Sequence, residues 1–156
     1  MILEVLGLAR AKGLRLTCAE SCTGGMLAAL LTQTAGSSDV FDRGFVTYSN
    51  AAKIDMLGVK ATTLDRFGAV SEAVASEMAM GARAHSLADI AVSITGIAGP
   101  GGSEFKPEGR VCFGLADAKG VFVETVDFGA RGRDLVRLAA RDHALGLILI
   151  CLQQSS

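Results

Sequence analysis

The segment LRLTCAESCTGGMLAALLTQT, residues 14–34, indicates the fold of this chain most directly. Residues 14–19 have the pattern of a short buried strand, and residues 23–34 that of a helix rich in Ala and Leu. A buried strand that leads at once into a helix is typical of α/β proteins, in which helices cover the faces of a sheet. The turn between them is a candidate functional site, because unpaired N–H groups at a helix N-terminus stabilise anions and developing oxyanions.

The rest of the chain continues this alternation of strands and helices. Helices are predicted over residues 1–12, 51–57, 63–67, 71–86 and 133–152, and strands over residues 44–49, 89–95, 110–116 and 121–128. The strand over residues 89–95 is predicted to be central in the sheet, and Lys119-Gly120 to form a hairpin turn. This order predicts one α/β domain over residues 1–156, a three-layer α/β/α sandwich with a mixed sheet.

The composition of the chain excludes several classes of protein. Of its 156 residues, 50% are hydrophobic and 20% are charged, which excludes an intrinsically disordered chain. The net charge of −1 argues against direct binding to nucleic acid. The N-terminus lacks the pattern of a signal peptide, and the longest apolar run, residues 144–152, is about half as long as a membrane span. We therefore expect a cytoplasmic protein with no membrane association, and its apolar helices favour a homo-oligomer.

The four cysteines predict neither a disulfide framework nor a metal site. They are Cys18, Cys22, Cys112 and Cys151, and no two of them have the C-x-x-C spacing of a zinc knuckle or a thioredoxin-like site. Reduced and mostly buried thiols are expected, and no metal or cofactor is predicted.

The turn after the first strand offers two candidate nucleophiles. Ser21 and Cys22 stand between the predicted strand and helix, where backbone amides can hold the oxygen of a tetrahedral intermediate. Thr23 belongs to the same turn, and Gly24 and Gly25 allow a substrate to approach the backbone closely. The same residues also fit an ordinary Ser/Thr N-cap followed by glycines that pack a helix, so both interpretations stay open.

A serine nucleophile needs a base, and the best candidate is a lysine. The two histidines, His85 and His143, lie in predicted helices and have the pattern of ordinary surface or core residues. Lys53 follows the only tyrosine, Tyr48, near the end of a predicted strand. A lysine acts as a general base when burial and nearby positive charge lower its pKa. Taken alone, Lys53 also fits a solvated helix residue.

Two further segments are candidates for substrate binding. Thr95 and Gly96 begin a Gly-rich loop after the predicted central strand, where open α/β sheets place their ligands. A merely flexible loop is the alternative. Arg133 and Arg137 lie on one face near the start of the last predicted helix, and guanidinium groups pair with phosphate. Solvated surface arginines are the alternative there.

Together these motifs resemble the C-terminal domain family of the competence and damage-inducible protein CinA, and in particular its stand-alone nicotinamide mononucleotide deamidases. The similarity covers about residues 14–149. The motifs occur in the family's order, as Glu20-Ser21-Cys22-Thr23-Gly24-Gly25, Gly36-Ser37-Ser38, Tyr48-Ser49-Asn50 with Lys53, Gly68-Ala69-Val70-Ser71, and Thr95-Gly96-Ile97-Ala98-Gly99-Pro100. Each motif is weak by itself, whereas their conjunction is specific.

The resemblance implies an enzyme that hydrolyses the carboxamide of nicotinamide mononucleotide to nicotinic acid mononucleotide and ammonia. It further implies an acyl-enzyme route with Ser21 as nucleophile, Lys53 as base, and Tyr48 as a third member that relays a proton or orients Lys53. The substrate-binding residues that it implies are Cys22, Thr23, Gly24, Gly25, Thr95, Gly96, Arg133 and Arg137, with the arginines on the phosphate.

Two other functions stay open from the sequence. The first is a thiol amidase that uses Cys22, because thiolates are intrinsically better nucleophiles than hydroxyl groups. The second is a non-catalytic partner protein associated with competence or DNA damage, which the name of the family suggests.

Overall fold

The computed structural model describes residues 1–103 and 105–156. Its helices are α1 (Ile2–Lys12), α2 (Met26–Thr32), α3 (Asn50–Leu57), α4 (Ala61–Phe67), α5 (Glu72–Ala84) and α6 (Arg133–Gln154), and its strands are β1 (Leu16–Glu20), β2 (Phe41–Val46), β3 (Ile90–Gly96), β4 (Arg110–Asp117) and β5 (Gly120–Asp127). A short 3-10 helix, Ser37–Asp39, precedes β2. The helix predicted before Gly13 is confirmed, and Gly13 ends it in the left-handed conformation.

The five strands form one mixed sheet in the order β2-β1-β3-β4-β5. β1 pairs in parallel with both β2 and β3, while β4 pairs antiparallel with β3 and β5. β3 lies in the middle, as predicted, and all but its last residue are buried. Because the parallel strands end at the same edge of the sheet, the chain segments that follow β1, β2 and β3 meet there.

Helices cover both faces of the sheet, which confirms the three-layer α/β/α sandwich. On one face α1, α2 and α6 pack over large apolar side chains, among them Leu16, Val92 and Ile94. On the other face α3, α4 and α5 pack over smaller side chains such as Ala19 and Ala91. Small side chains let α5 lie close to the sheet, where the Ser93 hydroxyl donates to the Ala75 carbonyl at 2.6 Å.

The structure differs from the prediction mainly around the turn after β1. The helix predicted from residue 23 begins at Met26, because Gly24 and Gly25 have φ values of 58° and 110°, outside the helical region. β2 begins and ends three residues earlier than predicted, so Thr47 and Tyr48 follow the strand. None of the helices in the described part of the chain is long and apolar enough to cross a membrane.

Candidate active site

The site is built around a serine and a lysine that meet where β1 and β2 end. Ser21 directly follows β1, and its amide donates to the Ile94 carbonyl at 2.9 Å, which ties it to β3. Lys53 lies on α3, and its Nζ contacts the Ser21 Oγ at 2.9 Å. The same Nζ donates to the Thr47 carbonyl at 2.9 Å. Ser21 is 8% exposed and Lys53 only 1% exposed, so the contact is nearly sealed from bulk water.

The first turn of α3 holds Lys53 in this position. The Ser49 hydroxyl caps the helix by accepting from the Ala52 amide at 3.0 Å. The helix then places Lys53 and Leu57 on its buried side. Because the cap, the helix and the Thr47 carbonyl all fix this side chain, the amine has little freedom to leave Ser21.

Burial lowers the pKa of Lys53 below its ordinary value of 10.5. Among the described residues, no carboxylate forms an ion pair with this amine. Both conditions favour the neutral form of the lysine. A neutral amine has a lone pair that can accept the Ser21 proton while one of its N–H bonds still donates to Thr47.

The backbone after Ser21 presents unpaired amides beside this pair. The Gly24 amide donates to the Ser21 carbonyl at 3.0 Å, and the Met26 amide donates to the Thr23 carbonyl at 3.0 Å. The amides of Cys22 and Thr23, in contrast, donate to no carbonyl within the described residues. Two successive free N–H groups next to a nucleophile are suited to hold an oxyanion.

A cleft of about 350 Å³ opens over the serine and the lysine. Thr95 and Gly96, at the end of β3, form one wall, and the loop that starts at Gly99 continues it. Thr95 is buried and donates its hydroxyl to the Ala69 carbonyl at 2.8 Å. A Cβ on Gly96 would lie 2.7 Å from Val111 Cγ2, so only glycine fits this close approach between strands.

The outer rim of the cleft carries Tyr48 and Arg133, which are both exposed. Arg133 donates to the Tyr48 hydroxyl at 2.8 Å and to the Gly99 carbonyl at 2.9 Å. These two bonds hold a guanidinium group at the mouth of the cleft, where it faces solvent. The rim therefore offers a positive charge and an aromatic ring to a ligand that enters the cleft.

The family model for the CinA C-terminal domain matches residues 1–152. The chain belongs to the CinA C-terminal domain family. It is 52% identical over 143 residues to a nicotinamide-nucleotide amidohydrolase PncC of Enterobacter agglomerans. This alignment covers 91% of this chain and 87% of that protein. It is 53% identical over 137 residues to the protein of the same name from Escherichia coli strain K12. That alignment covers 87% of this chain and 83% of the relative.

Solved structures of CinA family members have the same fold. The competence damage-inducible protein A of Klebsiella pneumoniae is 39% identical and superposes with a TM-score of 0.95, which covers 99% of this chain and 96% of that one. A competence/damage inducible protein of Agrobacterium tumefaciens is 49% identical, with a TM-score of 0.88 over 97% of this chain and 96% of that one. The family and the fold that the sequence motifs predicted are thereby confirmed.

The structure brings most of the candidate residues of this CinA domain into one cleft. Ser21, Cys22, Tyr48, Lys53, Thr95, Gly96 and Arg133 line it. The Tyr48 hydroxyl contacts Arg133, whereas the hydrogen bonds of the Lys53 amine go to Ser21 and Thr47. Thr23, Gly24 and Gly25 do not line the cleft. Thr23 is fully buried, and the two glycines shape the turn through their backbone conformations.

Arg137 stands apart from the residues that line the cleft. Its Nε donates to the Cys22 carbonyl at 3.0 Å, and its Nη2 lies 3.4 Å from the Thr23 carbonyl. Arg133 and Arg137 share a helical face, as their spacing predicted, but they contact different parts of the site. The prediction treated the two arginines as equivalent, and the structure gives them different partners.

Cys22 has the environment of an inert thiol. It is 6% exposed, and burial raises its pKa to about 11. A thiol with this pKa carries almost no thiolate at neutral pH, and the thiolate is the nucleophilic form. These properties disfavour the thiol amidase that the sequence left open.

Sequence reasoning missed the role of Glu20, the last residue of β1. Its carboxylate is fully buried and accepts from the amides of Leu27 and Ala28 at 3.0 and 2.9 Å. These amides belong to the first turn of α2, so the carboxylate caps the helix from the strand and fixes both ends of the turn that holds Ser21. An acidic residue just before a candidate nucleophile is the signal that could have found it.

Proposed function

We propose that this CinA domain is a nicotinamide-nucleotide amidohydrolase, which converts nicotinamide mononucleotide and water to nicotinic acid mononucleotide and ammonia. The observation that carries the proposal is the buried 2.9 Å contact between the Lys53 amine and the Ser21 hydroxyl. An acyl-transfer enzyme needs a nucleophile, a base of lowered pKa beside it, and free amides that can hold an oxyanion. Two relatives that are 52% and 53% identical over most of this chain carry the name of that amidohydrolase.

In the proposed first half-reaction, Ser21 Oγ attacks the carboxamide carbon while its proton moves to the neutral Lys53 amine. The carbonyl oxygen becomes an oxyanion, which the free amides of Cys22 and Thr23 stabilise. When the tetrahedral intermediate collapses, the C–N bond breaks and the Lys53 ammonium gives its proton to the departing nitrogen. Ammonia leaves, and the nicotinoyl group stays on Ser21 as an ester.

In the proposed second half-reaction, a water molecule attacks the ester carbon and Lys53 takes its proton. The same amides hold the second oxyanion. Collapse breaks the bond to Ser21 Oγ, which recovers its proton from Lys53, and the product leaves as a carboxylic acid that ionises. The cycle consumes one water and regenerates the neutral amine and the serine hydroxyl, so it requires no cofactor.

For substrate binding, we propose that Arg133 takes the phosphate at the mouth of the cleft. It is the arginine of the pair that lines the cleft, and its exposed position suits a charged group that remains partly solvated. Thr95 and Gly96 would then lie beside the pyridine ring or the ribose. We propose that Tyr48 acts at the rim through its contact with Arg133, and the third catalytic member that the resemblance implied is the alternative that Tyr48→Phe tests. A homo-oligomeric state and the lack of nucleic-acid binding stay predictions.

Incubation of the purified chain with nicotinamide mononucleotide tests the proposed reaction. We expect ammonia and nicotinic acid mononucleotide in equal amounts, measured by an ammonia assay and by mass spectrometry, with no free nicotinamide. Release of nicotinamide would mean cleavage of the glycosidic bond instead. No turnover at all would contradict the proposal and favour the non-catalytic partner protein.

The acyl-enzyme step is tested separately by rapid acid quench during turnover. We expect a fraction of the chain to carry the mass of the nicotinoyl nucleotide, located to the peptide that contains Ser21. Hydroxylamine in the reaction should divert product to the hydroxamate, because it competes with water for the ester. Product formation with neither adduct nor hydroxamate would indicate direct attack of water on the carboxamide.

A further inference from the structure

Arg137 is a charged side chain with no role in the proposed mechanism, although it lies against the catalytic turn. It projects from the second turn of α6 and is half-buried. Within residues 1–103 and 105–156, no carboxylate forms an ion pair with it. Its hydrogen bonds go to two backbone carbonyls instead, those of Cys22 at 3.0 Å and Thr23 at 3.4 Å.

The contact with the Cys22 carbonyl determines where the Thr23 amide points. The two groups belong to one peptide unit, which is planar and trans, so the N–H points away from the C=O. Arg137 pulls the carbonyl toward α6, and the amide is directed to the opposite side. That amide donates to no carbonyl within the described residues.

We propose that Arg137 is a positioning residue that orients and polarises the Cys22–Thr23 peptide, so that the Thr23 N–H can stabilise the oxyanion. This inference rests on the proposed acyl-transfer function. The positively charged guanidinium beside the carbonyl oxygen draws electron density toward that oxygen. This polarisation of the peptide makes its N–H a stronger donor. It also satisfies a carbonyl in a turn whose side chains are buried, which would otherwise lack a partner.

This assignment separates Arg137 from Arg133 in a way that substrates can reveal. A phosphate ligand contributes only when the substrate carries a phosphate. A residue that orients the oxyanion donor contributes to every substrate, and it acts on the transition state more than on the ground state. The two roles therefore predict different losses with nicotinamide mononucleotide and with nicotinamide riboside, which lacks the phosphate.

The first test uses a fluorophosphonate, which labels an activated serine without needing the nucleotide. The rate of labelling at Ser21 is followed by intact mass and located by peptide mapping. We expect Arg137→Ala to slow labelling about tenfold or more, since a lost oxyanion donor costs on the order of a hundredfold in rate. Arg141→Ala is the matched control, because Arg141 lies one turn further along α6 and bonds its neighbour Asp142.

Two additions keep the test informative if the alanine variant folds poorly. Arg137→Lys retains a donor and a positive charge, so we expect it to label faster than Arg137→Ala. Guanidinium ion at concentrations well below those that unfold the chain should restore part of the rate in Arg137→Ala, and none in Arg141→Ala. Labelling of Arg137→Ala and Arg137→Lys at the wild-type rate would overturn the inference.

The second test compares the two substrates. We expect Arg137→Ala to lower kcat by a similar factor for the mononucleotide and the riboside, with little change in KM. A rise in KM confined to the mononucleotide would show a phosphate ligand and overturn the inference while the proposed function stands. If Arg137→Ala is labelled more slowly than the wild type, and the wild type hydrolyses neither substrate, the inference is supported and the proposed substrate is contradicted. A wild-type chain that resists the fluorophosphonate would contradict both.

Discussion

The floor and the rim of the cleft are built in opposite ways. At the floor, Ser21 and Lys53 are buried and linked by a hydrogen bond. At the rim, Tyr48 and Arg133 are also linked by a hydrogen bond, but Tyr48 is 61% exposed and Arg133 faces solvent as well. The two pairs make contacts of similar length, yet only the first is removed from water.

This difference separates chemistry from recognition. Burial changes the protonation of Lys53, because a charged amine loses its hydration there, and it strengthens every interaction with developing charge. A solvent-exposed guanidinium keeps its charge and gains only a modest energy from each partner. Substitutions at the floor are therefore expected to lower kcat strongly, and substitutions at the rim to raise KM moderately.

The largest effect is expected for Ser21→Ala. Without the hydroxyl no acyl-enzyme can form, and loss of a nucleophile costs at least about a thousandfold in kcat. Steady-state assays with nicotinamide mononucleotide measure the loss, and circular dichroism with thermal melting tests the fold. Ser76→Ala, on α5 and outside the cleft, is the matched control. If Ser21→Ala keeps its turnover and Cys22→Ala abolishes it, the floor uses a thiol and the serine assignment is wrong.

The next effect concerns Lys53 and its dependence on pH. Burial lowers the pKa of this amine below 10.5, so its neutral, basic form grows as pH rises through that lowered pKa. The value of kcat/KM should therefore rise with pH along an ionisation below 10.5 and fall as the amine becomes protonated at lower pH. Lys53→Arg should lose about a hundredfold or more and lose this rising limb, because guanidinium does not release its proton.

The conservative variant is decisive for the role of the lysine. Lys60→Arg is the matched control, since Lys60 is an exposed residue at the start of α4. If Lys53→Arg keeps most of its activity, the residue supplies only positive charge and the proposed serine–lysine mechanism fails. An unchanged pH profile in that variant would contradict the assignment in the same way.

The sequence was sufficient to predict the elements of the fold, because apolar residues recur with the periods of helices and strands. It also indicated Ser21 and Lys53, although they are 32 residues apart, because Ser21 stands at a strand-to-helix turn, Lys53 is the best candidate base, and the family motifs imply that the two act together. The start of α2 was missed because two glycines with positive φ lengthen the turn. The high helix propensity of the Ala and Leu residues that follow carries no information about the backbone conformation of the two glycines.

The arginines show what spacing leaves undetermined. Four residues on a helix correspond to about 6 Å of rise, so side chains on one face still reach different places along the axis. Arg133 reaches the rim, while Arg137 reaches the carbonyls of the turn. Which of them meets a ligand depends on how α6 lies against the sheet. The buried cap formed by Glu20 depends in the same way on where α2 begins.

A moderate effect is expected for Arg133→Ala at the rim. Loss of a hydrogen-bonded charge pair costs about 1.5–3 kcal/mol, which is roughly ten- to a hundredfold in binding. We expect the loss mainly in KM for nicotinamide mononucleotide, and little loss with nicotinamide riboside. Arg141→Ala serves as the control on the same helix. Equal losses with both substrates would mean that Arg133 contacts a part of the substrate other than its phosphate.

The smallest effect is expected for Tyr48→Phe, and it tests the division between floor and rim most finely. The Tyr48 hydroxyl accepts from Arg133, whereas the hydrogen bonds of the Lys53 amine go to Ser21 and Thr47. Removing the hydroxyl should therefore loosen Arg133, raise KM a few-fold, and leave kcat and the pH profile nearly unchanged, as for other exposed pairs worth about 1 kcal/mol or less.

A double-mutant cycle decides whether Tyr48 acts through Arg133. If Tyr48 acts through Arg133, adding Tyr48→Phe to Arg133→Ala should cost almost nothing further. If instead Tyr48 relays protons in the substrate complex, Tyr48→Phe alone should lower kcat strongly and add its full effect to that of Arg133→Ala. That result would assign Tyr48 to the catalytic residues together with Ser21 and Lys53, although its side chain is exposed at the rim.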